Sequence, residues 1–238
     1  MGIFYPKCSN ANFGNSKNFI FDYKFSKILA MPRFTHLHTH SHYSLLDGLT
    51  QIGDLVKRAK ELGMDSLAVT DHGNLYGAIE FYKAAKAAGI KPILGVEAYI
   101  MPNTNSSSVT TERYYHLIIL CKNLAGWKNL LKLITHANLE GFYYKPRINK
   151  DFLRKHSEGL IALSACLAGE VSRAIMANKM PEAEKIALEY QDIFGAGNFY
   201  LEVGHHPGIK ETIKANAGLL EIAKKTGIPL AATQDIHY

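Results

Sequence analysis

Residues 36–42 read His-Leu-His-Thr-His-Ser-His, and a Ser-Leu-Leu-Asp-Gly turn closes the segment at Gly48. In an extended chain alternate side chains share a face, so His36, His38, His40 and His42 are expected to point the same way. Four imidazoles on one face pack poorly, whereas neutral imidazole is a good ligand for zinc, manganese or iron. A lone histidine would read as part of a solvated edge strand. A His-x-His pair followed by Asp47 reads instead as the start of a metal site.

Further ligand-type residues stand where short apolar runs stop. Three segments share one pattern: Ala59–Gly63 running to Asp71-His72, Ala85–Gly89 running to Glu97, and Ala223–Gly227 running to Asp235-Ile-His237. Each has a Lys-bearing helix end and a glycine where a left-handed C-cap belongs. An uninterrupted apolar stretch follows, too short for a helix and suited to a strand buried on both faces. Helix-to-strand punctuation accounts for the glycine but not for the acid or His that ends each run. Glu97, in Gly-Val-Glu-Ala-Tyr, is a carboxylate in apolar surroundings, costly unless paired. His116, ahead of Leu-Ile-Ile-Leu, reads by itself as a core histidine, and Cys166, in Ser-Ala-Cys-Leu-Ala-Gly, as a small buried residue.

These residues need elements to position them. Strands are expected near 35–40, 66–71, 92–99, 115–121, 159–165, 198–203 and 229–234. Helical spacing of apolar residues predicts helices over Ile52–Leu62, Leu75–Ala88, Leu124–Asn138, Pro181–Phe194 and Ile209–Thr226. Alternating β and α predicts a parallel sheet, open or closed. Ligand-type residues at several strand ends favour closure into a barrel, where chemistry collects at the C-terminal rim. Residues 102–113 are polar and predict a mobile loop. Residues 1–31, rich in Asn, Lys, Phe and Ser, predict an extension outside the fold, with one domain over 32–238.

Bulk properties narrow the class. The chain of 238 residues has 47% hydrophobic content and a net charge of +6, which permits contact with phosphates without demanding it. Its three cysteines, Cys8, Cys121 and Cys166, are far apart and odd in number, so a reduced, cytoplasmic setting is expected rather than a disulfide framework. No apolar run approaches a membrane span.

Taken together, the stretches His36–Gly48, Val69–Asn74, Gly89–Tyr99, His116–Leu120, Gly141–Arg147, Leu163–Val171 and Thr233–Tyr238 resemble the PHP (polymerase and histidinol phosphatase) domain. The resemblance covers about residues 32–238 and is to the N-terminal domain of bacterial DNA polymerase III alpha subunits of the DnaE type. It implies a distorted seven-stranded β/α barrel, TIM-barrel-like, that holds up to three divalent metal ions (Zn, Mn or Fe). It further implies that His38, His40, Glu97 and Asp235 hold one metal and carry catalysis. Glu97 would bridge to a second metal held with His116 and Cys166, and Asp47, His72 and His237 would hold the third. A ligand stands at every matching position.

The implied activity is metal-dependent phosphoester cleavage, as a 3′–5′ exonuclease that proofreads DNA. Arg147, Lys145 and His206 are candidate substrate contacts, and His205 is a second-sphere candidate. Solvated surface charge is an equally good reading of the first two. The implied partners are DNA, the rest of the alpha subunit and other replisome subunits, with no membrane. No Asp-x-Asp pair of the polymerase-palm kind occurs, so the chain alone is expected not to polymerise DNA and to be an excised domain or truncated product. A metal-stabilised docking module and a histidinol-phosphatase-like small-molecule enzyme are the alternatives. Because no ligand precedes Phe34, deleting residues 1–30 should leave metal content and melting temperature unchanged, as measured by elemental analysis and thermal melts.

Overall fold

The computed structural model describes residues 34–45, 47–102, 114–206 and 208–238. The expected extension at 1–31 and nearly all of the 102–113 loop lie outside them. In chain order the elements are α1 (Ile52–Glu61), β1 (Ser66–Val69), α2 (Ala78–Ala87), β2 (Lys91–Ile100), β3 (Tyr115–Cys121), α3 (Leu124–Leu139), β4 (Phe142–Tyr143), β5 (Lys145–Ile148), α4 (Lys150–Lys155), β6 (Leu160–Leu163), α5 (Glu170–Met176), α6 (Met180–Phe194), β7 (Phe199–Gly204), α7 (Lys210–Thr226) and β8 (Leu230–Thr233). All five expected helices form, the second three residues shorter at its start. Gly63, Gly89 and Gly227 turn the chain at φ of 71°, 72° and 75°, as the repeated helix–glycine–strand pattern requires. The β4–β5 hairpin, α4 and α5 are additional. Each is too short to show a full hydrophobic period in the sequence.

The strands curl into a ring. β1 pairs in parallel with the start of β2 (Lys91–Leu94), and β5 pairs in parallel with its end (Tyr99–Ile100). Along the other edge of β2 the order continues β3, β6, β7, β8. The seventh expected strand, 35–40, forms only an isolated bridge from Thr39 to Ile236. It still closes the ring. Ala68 and Thr70 donate backbone N–H bonds to His36 (2.9 Å) and Thr39 (2.8 Å), while His40 donates to Ile236 (2.7 Å) and Ile236 to His38 (3.2 Å). No ladder forms on that side because Asp235, in the left-handed region at φ 48°, bends the chain before it reaches Thr39.

One expectation is corrected. The sheet is not all parallel: β3 runs antiparallel to both β2 and β6. No helical pattern separates β2 from β3, and an antiparallel neighbour needs no crossover helix. This reversal places the first residues of β3 at the rim where the other strands end.

Strand alternation sorts the side chains. Leu117 and Ile119 of β3, Val96 and Ala98 of β2, and Phe199 and Leu201 of β7 point outward under α3 and α5–α7. A second outer layer joins β1 to α1 and α2 through Leu67, Val69, Ile52, Val56 and Phe81. Inside, Ala68, Ile118, Leu120, Leu163 and Ala165 pack with Leu37, Ile93, Ile161, Tyr200 and Ala231 as an apolar floor. Ile118 is opposite Glu97 in the β2–β3 register, so the floor directly supports the polar rim. Among the described residues no helix is long and apolar enough to cross a membrane. Ile118 is fully buried, and Ile118→Ala should lower the unfolding free energy by about 2–5 kcal/mol. Denaturant titration checks this, and a loss below about 1 kcal/mol would show a loosely filled barrel floor.

Candidate metal centre

Four side chains converge at the heart of the rim. His38 Nε2 lies 3.1 Å from His40 Nε2, 3.0 Å from Asp235 Oδ1 and 3.5 Å from Glu97 Oε1. His40 Nε2 is 3.3 Å from Glu97 Oε2 and 3.4 Å from Asp235 Oδ1. Glu97, only 1% exposed, also meets His116 Nδ1 at 2.7 Å through Oε1 and His72 Nδ1 at 2.7 Å through Oε2. His72 Nε2 reaches Asp47 Oδ2 at 3.0 Å, and His237 Nε2 lies 3.8 Å from that oxygen. Three overlapping triads result: His38/His40/Asp235, His72/Glu97/His116 and His40/His72/His237.

Backbone geometry explains the convergence. Glu97 sits at an inward position of β2, and Tyr99, two residues on, is opposite His116 of β3. His72 follows β1 and bridges to Glu97. Asp235 follows β8 in a left-handed conformation, one that Asp adopts more readily than most residues. Asp47 is carried by the 41–48 turn. A Cβ on Gly48 would lie 2.0 Å from the Ser41 carbonyl oxygen, so only glycine closes that turn.

A second layer of carboxylates and hydroxyls fixes the tautomers. Glu202 can only accept when ionised, so His38 Nδ1–H donates to Glu202 Oε1 at 2.7 Å and its Nε2 lone pair faces the centre. The Ser44 hydroxyl donates to Asp71 Oδ1 at 2.9 Å and accepts from the His72 backbone N–H at 3.1 Å. His40 Nδ1–H therefore donates to Ser44 Oγ at 2.8 Å, and its Nε2 lone pair faces the centre too. Two imidazole lone pairs thus point at each other 3.1 Å apart, beside two carboxylates. Asp235 Oδ1 and His72 Nδ1 are buried and make no hydrogen bond of good geometry, although His38 Nε2 and Glu97 Oε2 lie 3.0 and 2.7 Å from them. Only a shared proton or a cation relieves such an arrangement, and the nitrogen-and-oxygen donor set fits a divalent metal.

Without a metal, protons take the cation's place. Burial opposes protonation of His38, but the Glu202 and Glu97 carboxylates overcome it and raise its pKa well above the usual imidazole value. His40 is raised against the same burial by Asp235 and Glu97. Glu97 and Asp235 are held low despite burial, Asp235 to about 2, by the histidines around them.

Other sequence candidates fall differently. Of the four histidines in 36–42, only His38 and His40 enter the centre. His36 packs edge-on against Phe34 at 4.7 Å, and His42 lies against Tyr43 at 4.2 Å, because the chain turns at Ser41. Cys166 joins none of the triads among the described residues. It lines an adjoining cavity with Asp235 and Glu202, and burial together with the Glu97 and Asp235 charges pushes its thiol pKa up. Lys145 lines the cleft beside Asp47, His72 and His116. His206 lines an open pocket with Asp47, Asp235 and His237. Arg147 is 1% exposed; its Nε donates to the Gly141 carbonyl at 3.4 Å and its guanidinium lies over the Tyr143 ring. That geometry makes it a brace of the 141–147 hairpin rather than a surface phosphate contact.

Glu202 and Ser44 were not singled out from the sequence, and Asp71 was noted only as an acid ending an apolar run. Glu202 carries the same signal as Glu97, a carboxylate inside an apolar strand, and Asp71 adjoins His72.

Fold and site together define a β/α barrel with a candidate metal centre at its rim. The PHP domain model matches residues 36–206, and the chain belongs to the PHP domain family. Among curated relatives, the DNA polymerase III subunit alpha of Borreliella burgdorferi is 50% identical over 209 residues, covering 87% of this chain and 18% of that protein. That of Helicobacter pylori is 49% identical over 215 residues, covering 86% of this chain and 18% of that protein. The chain thus spans less than a fifth of the length of these relatives. A solved structure described as a metal-dependent phosphoesterase from Bifidobacterium adolescentis superposes with a TM-score of 0.60 at 14% identity, covering 87% of this chain and 89% of that one. An amidohydrolase from Chromobacterium violaceum superposes with a TM-score of 0.53 at 16% identity, covering 85% and 87%. These likenesses are of fold.

A metal must displace protons from His38 and His40, so its affinity should climb as pH rises through the imidazole range. The metal-free protein should behave oppositely. The raised His38 and His40 values stabilise it fully below about pH 6.5, and that contribution is lost as pH rises through the folded-state values. Thermal melts from about pH 6 to 9, with chelator and with Mn²⁺, should therefore diverge as pH rises. In the same titration Glu202→Gln should weaken metal binding by about 10–100-fold.

Proposed function

We propose that this domain hydrolyses phosphodiesters with bound divalent metal, as the 3′–5′ exonuclease of a DNA polymerase III alpha subunit. The observation that carries the reading is the sharing of His40 and His72 among overlapping triads at an open rim, with the Glu97 carboxylate in reach of four histidines. Glu97, His38 and His40 are buried, whereas Asp47 is 49% exposed and His72, His116, Asp235 and His237 are partly exposed. A purely structural site would be closed on all sides.

Clustered divalent metals would lower the pKa of a bound water and neutralise charge on the phosphate and the leaving oxygen. His38, His40, Glu97 and Asp235 would hold one ion. Glu97, with His116, would hold a second, which leaves Cys166 as a further donor only if its thiol is deprotonated. Asp47, His72 and His237 would hold a third. Glu202 and Ser44 keep His38 and His40 aimed, so the centre needs no reorganisation when substrate arrives. Lys145 and His206, on either side of the ligands, stand where a phosphate could be met. Identity of 49–50% to two alpha subunits supports a replicative setting, with DNA and the rest of that subunit as partners in the cytoplasm. The alternative is a metal-stabilised docking module of the same polymerase.

The deciding assay uses end-labelled single-stranded DNA and protein freed of host nucleases. Cleavage should start at the 3′ end, stop with chelator, return with Mn²⁺ or Zn²⁺, and drop at least about 100-fold in Asp235→Asn and in the His38→Ala/His40→Ala pair. Equal cleavage by wild type and Asp235→Asn would mark contamination. Bound metal without cleavage would favour the docking module.

A further inference from the structure

Beside the candidate centre lies a cleft of about 360 Å³ with aromatic walls. Its inner end is formed by Asp47, His72 and His116, and its walls include Tyr76, Tyr99, Tyr114 and Phe142, with Lys145 among them. The rings are continuous with the centre. Tyr99 lies parallel to His72 at 6.1 Å, Tyr114 lies parallel to His116 at 5.9 Å, and Tyr99 and Tyr114 meet edge to face at 4.9 Å. At the outer end Tyr76 is 69% exposed and Phe142 is 58% exposed. Exposed rings gathered in one cleft are an unusual outlay of apolar surface. Lys145 Nζ lies 5.4 Å from the Tyr99 ring centre and, among the described residues, forms no ion pair.

We infer that this cleft is a stacking track for the bases of a single-stranded nucleic acid end entering the centre, with Lys145 as a phosphate contact. The inference takes its substrate class from the phosphodiesterase reading above. Aromatic faces accept any base, because every base has a π-face, and they do so with little sequence preference. A lysine among the rings supplies the sequence-independent charge that a sugar-phosphate backbone needs. The net charge of +6 suits an anionic polymer. The arrangement also fits an end rather than a duplex, since a stacked pair offers no free base face to a side chain. Sequence motifs placed Lys145 but gave no reason to group Tyr76 with Phe142, which are 66 positions apart and meet only through the fold.

The test is a binding measurement, independent of turnover. The full chain with Mn²⁺ is titrated into two fluorescein-labelled, phosphorothioate-linked single strands of equal length, one of thymidine and one abasic. Wild type should bind the thymidine strand about ten-fold more tightly. Tyr76→Ala with Phe142→Ala should erase that preference, while Tyr76→Phe with Phe142→Tyr keeps it. Unchanged circular dichroism would show that the alanine pair still folds, as expected for exposed rings. Lys145→Ala should weaken both strands by the same factor and reduce the salt dependence by about one phosphate contact. Equal binding of the two strands by wild type, or a preference that survives in the alanine pair, overturns the inference and leaves the rings as a surface for a protein partner. Either result is separate from the nuclease assay, which alone decides the activity.

Discussion

Glu97 is a carboxylate with almost no exposure, surrounded by four imidazoles. An unpaired charge there would be prohibitively costly, so the histidines and the acid require one another. Everything at the rim is arranged around that requirement. His38 and His40 must present lone pairs inward, which obliges Glu202 and Ser44 to take their outer N–H groups. Ser44 in turn needs Asp71, and Asp71 also accepts from the Ser41 backbone and hydroxyl, which shapes the turn carrying Asp47. The ligands and the loop that brings the last of them are one hydrogen-bonded unit. A partly satisfied version of such a network would be worse than an apolar core.

The barrel makes this unit possible through two departures from a regular parallel ring. The antiparallel β3 puts its second residue, His116, opposite Tyr99 near the end of β2, where His72 also bridges to Glu97. The left-handed turn at Asp235 ends β8 early and swings its carboxylate over the centre. Beneath, Ile118 and Leu163 close the interior. The same rim opens on two sides, to the aromatic cleft by His72 and His116 and to the pocket by Asp235 and His206.

Much of this was legible in the sequence, and for definite physical reasons. The glycine after each helix and the short apolar run behind it placed β1, β2 and β8. An acid or histidine ending such a run is a local signal, and it picked out His72, Glu97 and Asp235 without knowledge of their neighbours. His38 and His40 followed from two-residue alternation, which brings these two together but leaves His36 outside the centre and fails at His42 beyond the Ser41 turn. Helix positions came from hydrophobic period, and the short α4, α5 and β4–β5 carry too few residues to display one.

Tertiary structure alone decided what depends on contacts between distant residues. Strand direction is invisible in a run of apolar residues, so only the fold shows why His116, at a strand's beginning, joins residues at strand ends. Glu202 lies 164 positions from the His38 it orients, and no local pattern links them. The burial of Arg147 against Gly141 and Tyr143 likewise depends on the hairpin closing, whereas its sequence context reads equally well as a solvated loop. Ligand types are a property of single residues and short periods. Which ligands share an ion, which charge is buried and which ring faces the cleft are properties of distance, and distance is set by the closed sheet.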